Sequence, residues 1–288
     1  MSSTTQASRS TGGAPTGRRV RQHAMDDGVS STFGREPPRL LPFALVLATA
    51  LSPFTAQAGV AGSAALTSDY VFRGVSQNNE EPAVQAGIEY AHDSGFYVGT
   101  WGSNVSWLSD TITGEGGREI SNSVEIDGYL GYRGKAGDTF AYDVGVLTYW
   151  YPGDYPGGFN SPDTTELYAG FTVTPAEPIS LGLKYSYAVT DLFGYGDSDG
   201  SGYLDASANW TFAEGWTLNL HAGKQWIESN KDFEYTDWKV GVTKAFGDSG
   251  FSIAAAYTGT DADDALYTNA YGNELADDRV ALTLSKGF

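Results

Sequence analysis

The sequence predicts an all-β fold, a closed antiparallel barrel of twelve transmembrane strands preceded by a signal peptide, and three observations carry that prediction. Segments with a two-residue apolar period recur twelve times, and no stretch of comparable length repeats its apolar residues at helical spacing. The connections between the segments alternate between a short and a long set. An export-type segment stands in front of them all.

The chain has 288 residues. Residues 1–39 are rich in Ser, Thr, Gly and Arg and carry almost no periodic apolar content. They read as a disordered extension, best explained by a start codon placed too early, with Met25 as one later candidate. Residues 40–58, "LLPFALVLATALSPFTAQA", follow Arg35 and Arg39, run apolar from Leu40 to Leu51, and end in Ala56-Gln57-Ala58. A basic flank, an apolar centre and a small-x-small end form the anatomy of a signal peptide cleaved after Ala58. Pro42 and Pro53 interrupt the segment, and its apolar run falls short of the roughly 20 residues that a spanning helix needs.

From Gly59 onward the periodic segments lie near 61–73, 82–92, 95–106, 120–133, 138–151, 163–174, 178–190, 201–212, 215–228, 234–246, 250–260 and 277–288. In the fourth, Val124, Ile126, Leu130 and Tyr132 oppose Glu125, Asp127, Tyr129 and Arg133. In the seventh, Ile179, Leu181, Leu183, Tyr185 and Val189 oppose Ser180, Gly182, Lys184 and Ser186. Short connections fall at 92–95, 134–138, 174–178, 213–215 and 247–250; long ones at 74–81, 107–119, 152–162, 191–200, 229–233 and 261–276. Pro82, Pro152, Pro156, Pro162, Pro175 and Pro178 all sit in or beside a connection, where no ladder hydrogen bond is lost. Long loops at one end and tight turns at the other characterise outer-membrane barrels, with the turns and both chain ends on the periplasmic side. Such a sheet must close, because lipid offers nothing to an unpaired strand edge.

The first segment then divides its residues between two environments. Tyr70 and Phe72 are expected to meet lipid near the outer interface, and Asp69 and Arg73 to point into a wet interior. Tyr97, Trp150, Tyr151, Trp210, Phe212, Trp216, Trp226, Trp238, Phe246 and Phe251, near segment ends, extend the same aromatic girdles. A soluble sandwich with an aromatic core is the rival reading. It would have no use for lysine, glutamate and histidine on its inner face.

Charge narrows the function. Six of the 17 basic and three of the 35 acidic residues precede Gly59, leaving 11 against 32 and a formal net charge of −21. A surface of that sign disfavours nucleic acid as a partner. The absence of cysteine removes disulfides, thiolate metal sites and cysteine nucleophiles. Of the histidines after residue 58, His92 sits in a tight turn and His221 faces inward with Thr217, Asn219 and Gln225, away from any lipid substrate. A phospholipase triad or a zinc site is therefore not expected. Glu125 and Asp127 share a face at the spacing of a glycosidase acid/base pair, but a hydrated lumen explains them better. No catalytic residue, resident metal or cofactor is assigned. The Asp-x-Asp-Gly run at 197–200 lacks the closing glutamate of a calcium loop.

The inward set expected to line the lumen is Asp69, Arg73, Glu89, Glu125, Asp127, Arg133, Asp143, Glu166, Lys184, Asp237 and Lys239. Walls of mixed charge select the solutes that pass between them. Asp197, Asp199, Asp261, Asp263 and Asp264 make the long loops acidic, and an acidic rim attracts cations. Inward glycines (Gly87, Gly131, Gly145, Gly170, Gly182, Gly223, Gly241) are expected to leave an opening, whereas Tyr129, Tyr149, Tyr168 and Tyr203 could close it.

The run 66–105 contains S-D-Y-V-F-R-G-V-S-Q, P-A-V-Q-A-G-I-E-Y and G-F-Y-V-G-T-W-G-S-N-V in order. It resembles the opening of a proteobacterial family known as Gcw_chp, also called the TorF-type porins, and the likeness extends over residues 59–288. It implies an outer-membrane, porin-like barrel and transfers no substrate or catalytic residue. The final alternating strand ends on Phe288 and resembles the recognition signal read by the barrel-assembly machinery. The expected function is passive diffusion of small hydrophilic solutes, cations or neutral molecules foremost, across the bacterial outer membrane. The alternative is a structural or adhesive barrel with a plugged lumen.

Overall fold

The computed structural model describes residues 59–111 and 120–288; the extension 1–39, the export segment 40–58 and part of the second long loop lie outside the described residues. Twelve strands make the barrel. They are β1 (Gly59–Thr67), β2 (Ala83–Ala91), β3 (Phe96–Asn104), β4 (Val124–Ala136), β5 (Phe140–Trp150) and β6 (Thr164–Ala176). The second half comprises β7 (Ile179–Ala188), β8 (Gly202–Ala213), β9 (Trp216–Trp226), β10 (Tyr235–Ala245), β11 (Phe251–Thr260) and β12 (Arg279–Gly287). Each pairs antiparallel with its neighbours in sequence, and β12 pairs with β1 to close the ring.

At that seam Leu66 lies opposite Leu284 and Ser63 opposite Gly287. Gly62 N–H donates to the Phe288 carbonyl at 2.8 Å, and Phe288 N–H returns a bond to Gly62 at 3.0 Å. The terminal residue thus finishes the ladder, as a barrel without an edge requires.

Strand alternation sets the two faces. On β12, Val280, Leu282 and Leu284 are 61%, 55% and 45% exposed, while Ala281, Thr283 and Ser285 turn inward. The same split runs through β2, where Val84 and Ile88 face out and Gln85 and Glu89 face in. Exposed Phe96, Phe140, Trp210, Phe212, Trp216, Phe246 and Phe251 ring the short-turn end; exposed Trp150, Tyr187, Trp226 and Tyr257 ring the other. An apolar outer band between two aromatic girdles marks a transmembrane barrel of the outer-membrane type.

Three expectations about aromatic residues are corrected. Tyr97 is buried and inward, because Phe96 and Val98 hold the lipid face of β3. Tyr151 is buried for the corresponding reason beside exposed Trp150. Tyr70 and Phe72 do not meet lipid at all: β1 ends at Thr67, and the chain turns into the barrel. There a small hairpin pairs Val71 with Ser76 and Phe72 with Val75. Around it gathers the main buried cluster, including Trp107, Leu108, Tyr149, Tyr151, Phe193, Tyr195, Phe233, Tyr235, Tyr267 and Leu275. The long loops therefore fold inward, and the long-loop half of the lumen is packed.

The two faces give a sharp contrast. Leu282→Arg should cost about 2–4 kcal/mol in a lipid-vesicle unfolding titration if the residue lies near mid-membrane depth. Ser285→Arg, facing the small-residue interior, should cost much less; equal costs would contradict the assigned faces.

Candidate functional site

The hairpin at 68–77 is the centre of the site, and its turn explains how it fits. Arg73 (φ +42°) and Gly74 (φ +86°) both occupy the left-handed region between Phe72 and Val75. Two successive positive φ values make the tight turn that matches strand twist, and the first position usually falls to Asn, Asp or Gly. An arginine there is strained by about 1–2 kcal/mol. Gly74 is obligatory on space as well, since a methyl group would collide with the side chains of Thr260 and Asp237.

The strain is offset by what the arginine reaches. Its guanidinium donates to both carboxylate oxygens of Glu166 on β6, at 2.9 and 3.0 Å. It also donates to Gln225 Oε1 on β9 and lies 3.9 Å from the ring centre of Tyr203 on β8. Arg73, Glu166 and Gln225 are all at or below 2% exposure. Glu166 and Tyr203 stand five strands from β1 in opposite directions around the ring. The hairpin therefore crosses the whole lumen and fastens to the far wall.

Its flanks are held by rings and hydrogen bonds. Phe72 packs edge-on against Tyr149 and Phe193, and Tyr70 against Trp101. Tyr70 Oη donates to Glu125 Oε1 at 3.0 Å, and Ser76 N–H to the Leu275 carbonyl at 2.8 Å. Gln77 C=O accepts from the N–H groups of Ser106 and Trp107, tying the first long loop to the second. At the base, Asp69 accepts from Ser76 Oγ at 2.7 Å and pairs with Arg279 at 3.4 Å. Burial pushes the Asp69 carboxyl above the usual carboxylate range, against the Ser76 bond and the Arg279 charge, which pull it down.

The seat beneath the hairpin is acidic. Glu125 and Asp127 on β4 are both 0% exposed, and neither carboxylate oxygen of Asp127 has a hydrogen-bond partner among the described residues. Towards the short turns the interior changes. Arg133 pairs with Glu89, and its guanidinium carbon lies 4.1 Å from the Tyr97 ring centre. Tyr97 Oη donates to Asp143 at 2.5 Å and meets Tyr168 Oη. Both ring nitrogens of His221 are engaged by carboxylates, Nε2 with Asp237 at 2.6 Å and Nδ1 with Asp205 at 3.2 Å. Lys184, on the inward parity of β7, is solvent-exposed, with its Nζ 4.2 Å from the Tyr168 ring centre. The inner faces of β11, β12 and β1 carry only small side chains at this depth: Ser252, Ala254, Ala256, Ala281, Thr283, Ser285, Ser63 and Ala65. The inner half is thus a polar chamber, with crowded and sparse walls facing each other.

The sequence-predicted residues therefore fall into separate groups. Asp69, Arg73, Glu125, Asp127, Glu166 and Asp237 are sealed in the outer half, while Glu89, Arg133, Asp143, Lys184 and Lys239 lie in the inner half. Asp197, Asp199, Asp261, Asp263 and Asp264 are exposed on the long loops. The inward glycines do not uniformly create space. The rings of Tyr97, Tyr168 and Tyr203 lie where side chains at Gly131, Gly145 and Gly223 would stand. Sequence reasoning missed Gln225 and Arg279 as partners of the hairpin, and the inward parity of both was the available signal.

Arg73→Ala would leave Glu166 buried without its cation, a loss of about 3–5 kcal/mol in hairpin docking. Amide hydrogen exchange across 70–77 should rise by orders of magnitude, and Gly74→Ala should raise it through collision and the left-handed backbone together. Unchanged protection in both variants would contradict this account of the seat.

Comparisons place the chain among known proteins. No curated protein matches it. Among solved structures, the NanC porin superposes with a TM-score of 0.51 at 11% identity, over 80% of this chain and 99% of that one. The KdgM porin gives 0.49 at 8% identity, over 80% and 98%. An outer membrane channel from Pseudomonas putida F1 gives 0.45 at 11%, over 80% and 96%. At such identities the NanC likeness is one of fold. The family described as "Bacterial protein of unknown function (Gcw_chp)" matches residues 47–288, covering the whole barrel, and the chain belongs to that family.

Proposed function

We propose that this barrel is an outer-membrane channel for passive diffusion of small hydrophilic solutes, favouring cations and neutral molecules. The observation that carries the reading is the polar inner chamber, in which exposed Lys184 faces a wall of Ala, Ser and Thr side chains. A barrel serving only as a scaffold has no need of a water-accessible interior furnished with charge. Porin architecture, the fold seen in NanC, is compatible with that use. The preference for cations follows from the loops. Asp197, Asp199, Asp261, Asp263 and Asp264 sit exposed at the mouth, where their field reaches about one Debye length, ~8 Å at physiological salt.

One observation favours a second reading. The outer half is sealed by the hairpin and the loops over it, as expected of a structural or adhesive barrel with a plugged lumen. Twelve strands lie between filled barrels of about eight and open ones of 16–18, so strand number does not decide between the two.

Current through the protein, purified from expressing bacterial membranes, should be recorded in a planar bilayer under a salt gradient. The channel reading expects discrete steps with a cation-selective reversal potential. Replacing the five loop aspartates by asparagine should move that potential toward zero, most visibly at low salt. Anion-selective steps would overturn the charge argument. An inserted barrel that stays silent in every condition, with the hairpin deleted as well, would establish the plugged reading instead.

A further inference from the structure

The attachment of Arg73 to the far wall is itself a built binding site. Both carboxylate oxygens of Glu166 accept from one guanidinium nitrogen, Nη2, the amide oxygen of Gln225 accepts from the other terminal nitrogen, Nη1, and Tyr203 offers a ring face 3.9 Å from the guanidinium carbon. These groups come from β6, β9 and β8, so the rigid wall assembles the cradle and the hairpin only fills it. Planar charge, two terminal nitrogens directed to acceptors on separate strands and a stacking face together specify a guanidinium, whereas an alkyl ammonium has one nitrogen to present to those acceptors and no plane to lay on the ring. We propose that the Glu166–Gln225–Tyr203 cradle is a binding site for guanidinium-bearing solutes, and that Arg73 is its tethered occupant, holding the lumen shut until a free guanidinium takes its place.

Two further observations fit an occupant that can leave. The Arg73 backbone adopts a left-handed conformation unfavourable for that residue, so release relieves strain. Asp127, buried with both oxygens unpartnered among the described residues, lies in the seat under the hairpin and gains water when it lifts. The gating consequence rests on the channel reading above, whereas the binding does not. Release would also uncover Glu125, Asp127 and Glu166, turning the outer lumen into a carboxylate-lined passage for the same cations.

The test uses the full chain expressed in a bacterial outer membrane and purified folded in detergent. Thermal melting of Arg73→Ala is followed with about 20 mM L-arginine, against L-lysine and sodium chloride at equal ionic strength. L-arginine should raise the melting midpoint by about 3 °C or more, the others should not, and the Arg73→Ala/Glu166→Gln double variant should not respond. In bilayers, Arg73→Ala should open more often than wild type, and L-arginine on the long-loop side should raise the opening of wild type above the lysine control. Equal effects of arginine and lysine, or an equal response of the double variant, would overturn the site. Arginine-specific stabilisation without current in any variant would keep the site and remove the gate together with the channel reading. Where Arg73→Ala does not insert, wild type carries the test. L-arginine at a few hundred millimolar must raise amide exchange at 70–77 over the lysine control, and no rise would overturn the proposal.

Discussion

Every backbone N–H and C=O that faces lipid must find a partner within the protein, and the rest of this structure follows from that constraint. Each unpaired group in hydrocarbon costs several kcal/mol, so the sheet cannot end and must return to its beginning. Closure through β1 and β12, completed by the Phe288–Gly62 bonds, fixes the strand number, and strand number fixes how much interior there is to fill. Alternation then follows without further instruction: whatever is apolar at one parity is committed to lipid, and its neighbours are committed to the interior.

That interior is divided by a segment that uses the barrel as a soluble protein uses its core. The hairpin brings Tyr70, Phe72 and Val75 into contact with Tyr149, Phe193 and Trp101, burying aromatic surface far from lipid. Burying Arg73 alone would be prohibitive, and Glu166, Gln225 and Tyr203 make it tolerable. The polar fastening adds little to what an apolar plug could provide in stability. Its contribution is registry: only one depth of insertion brings the guanidinium to its acceptors. The Asp69–Ser76–Arg279 contacts hold the base of the hairpin in the same register.

The barrel itself was legible in the sequence to a degree that its outer half was not. Strand positions, the order of short and long connections and the lipid face of β12 all follow from period-two alternation and turn residues. The failure at residues 68–77 has a physical cause. Alternation reports that neighbouring side chains face opposite ways, and a hairpin inside a lumen alternates as well as a strand in its wall. Tyr70 and Phe72 therefore matched a lipid-facing pattern while standing in a protein interior. The Arg73–Gly74 pair does not distinguish them either, because Arg133–Gly134 stands inside the continuous strand β4. Tyr97 erred differently, since both Phe96 and Tyr97 are large aromatics and only burial separates them. The cradle around Arg73 joins residues 93 and 152 positions away in sequence, and pairing across a ring leaves no local trace.

The hairpin is continuous with β1 and β2, and this short leash has a quantitative consequence. A group tied to its site by a short connection returns at an effective concentration of the order of millimolar or more, however dilute the protein. Anything that displaces it from solution must be present at comparable levels, or bind far more tightly. The length of the segment between Thr67 and Ala83 therefore sets a threshold, and lengthening it would lower that threshold without altering a single contact. Response to scarcity or plenty is, in such an arrangement, written into the reach of a loop.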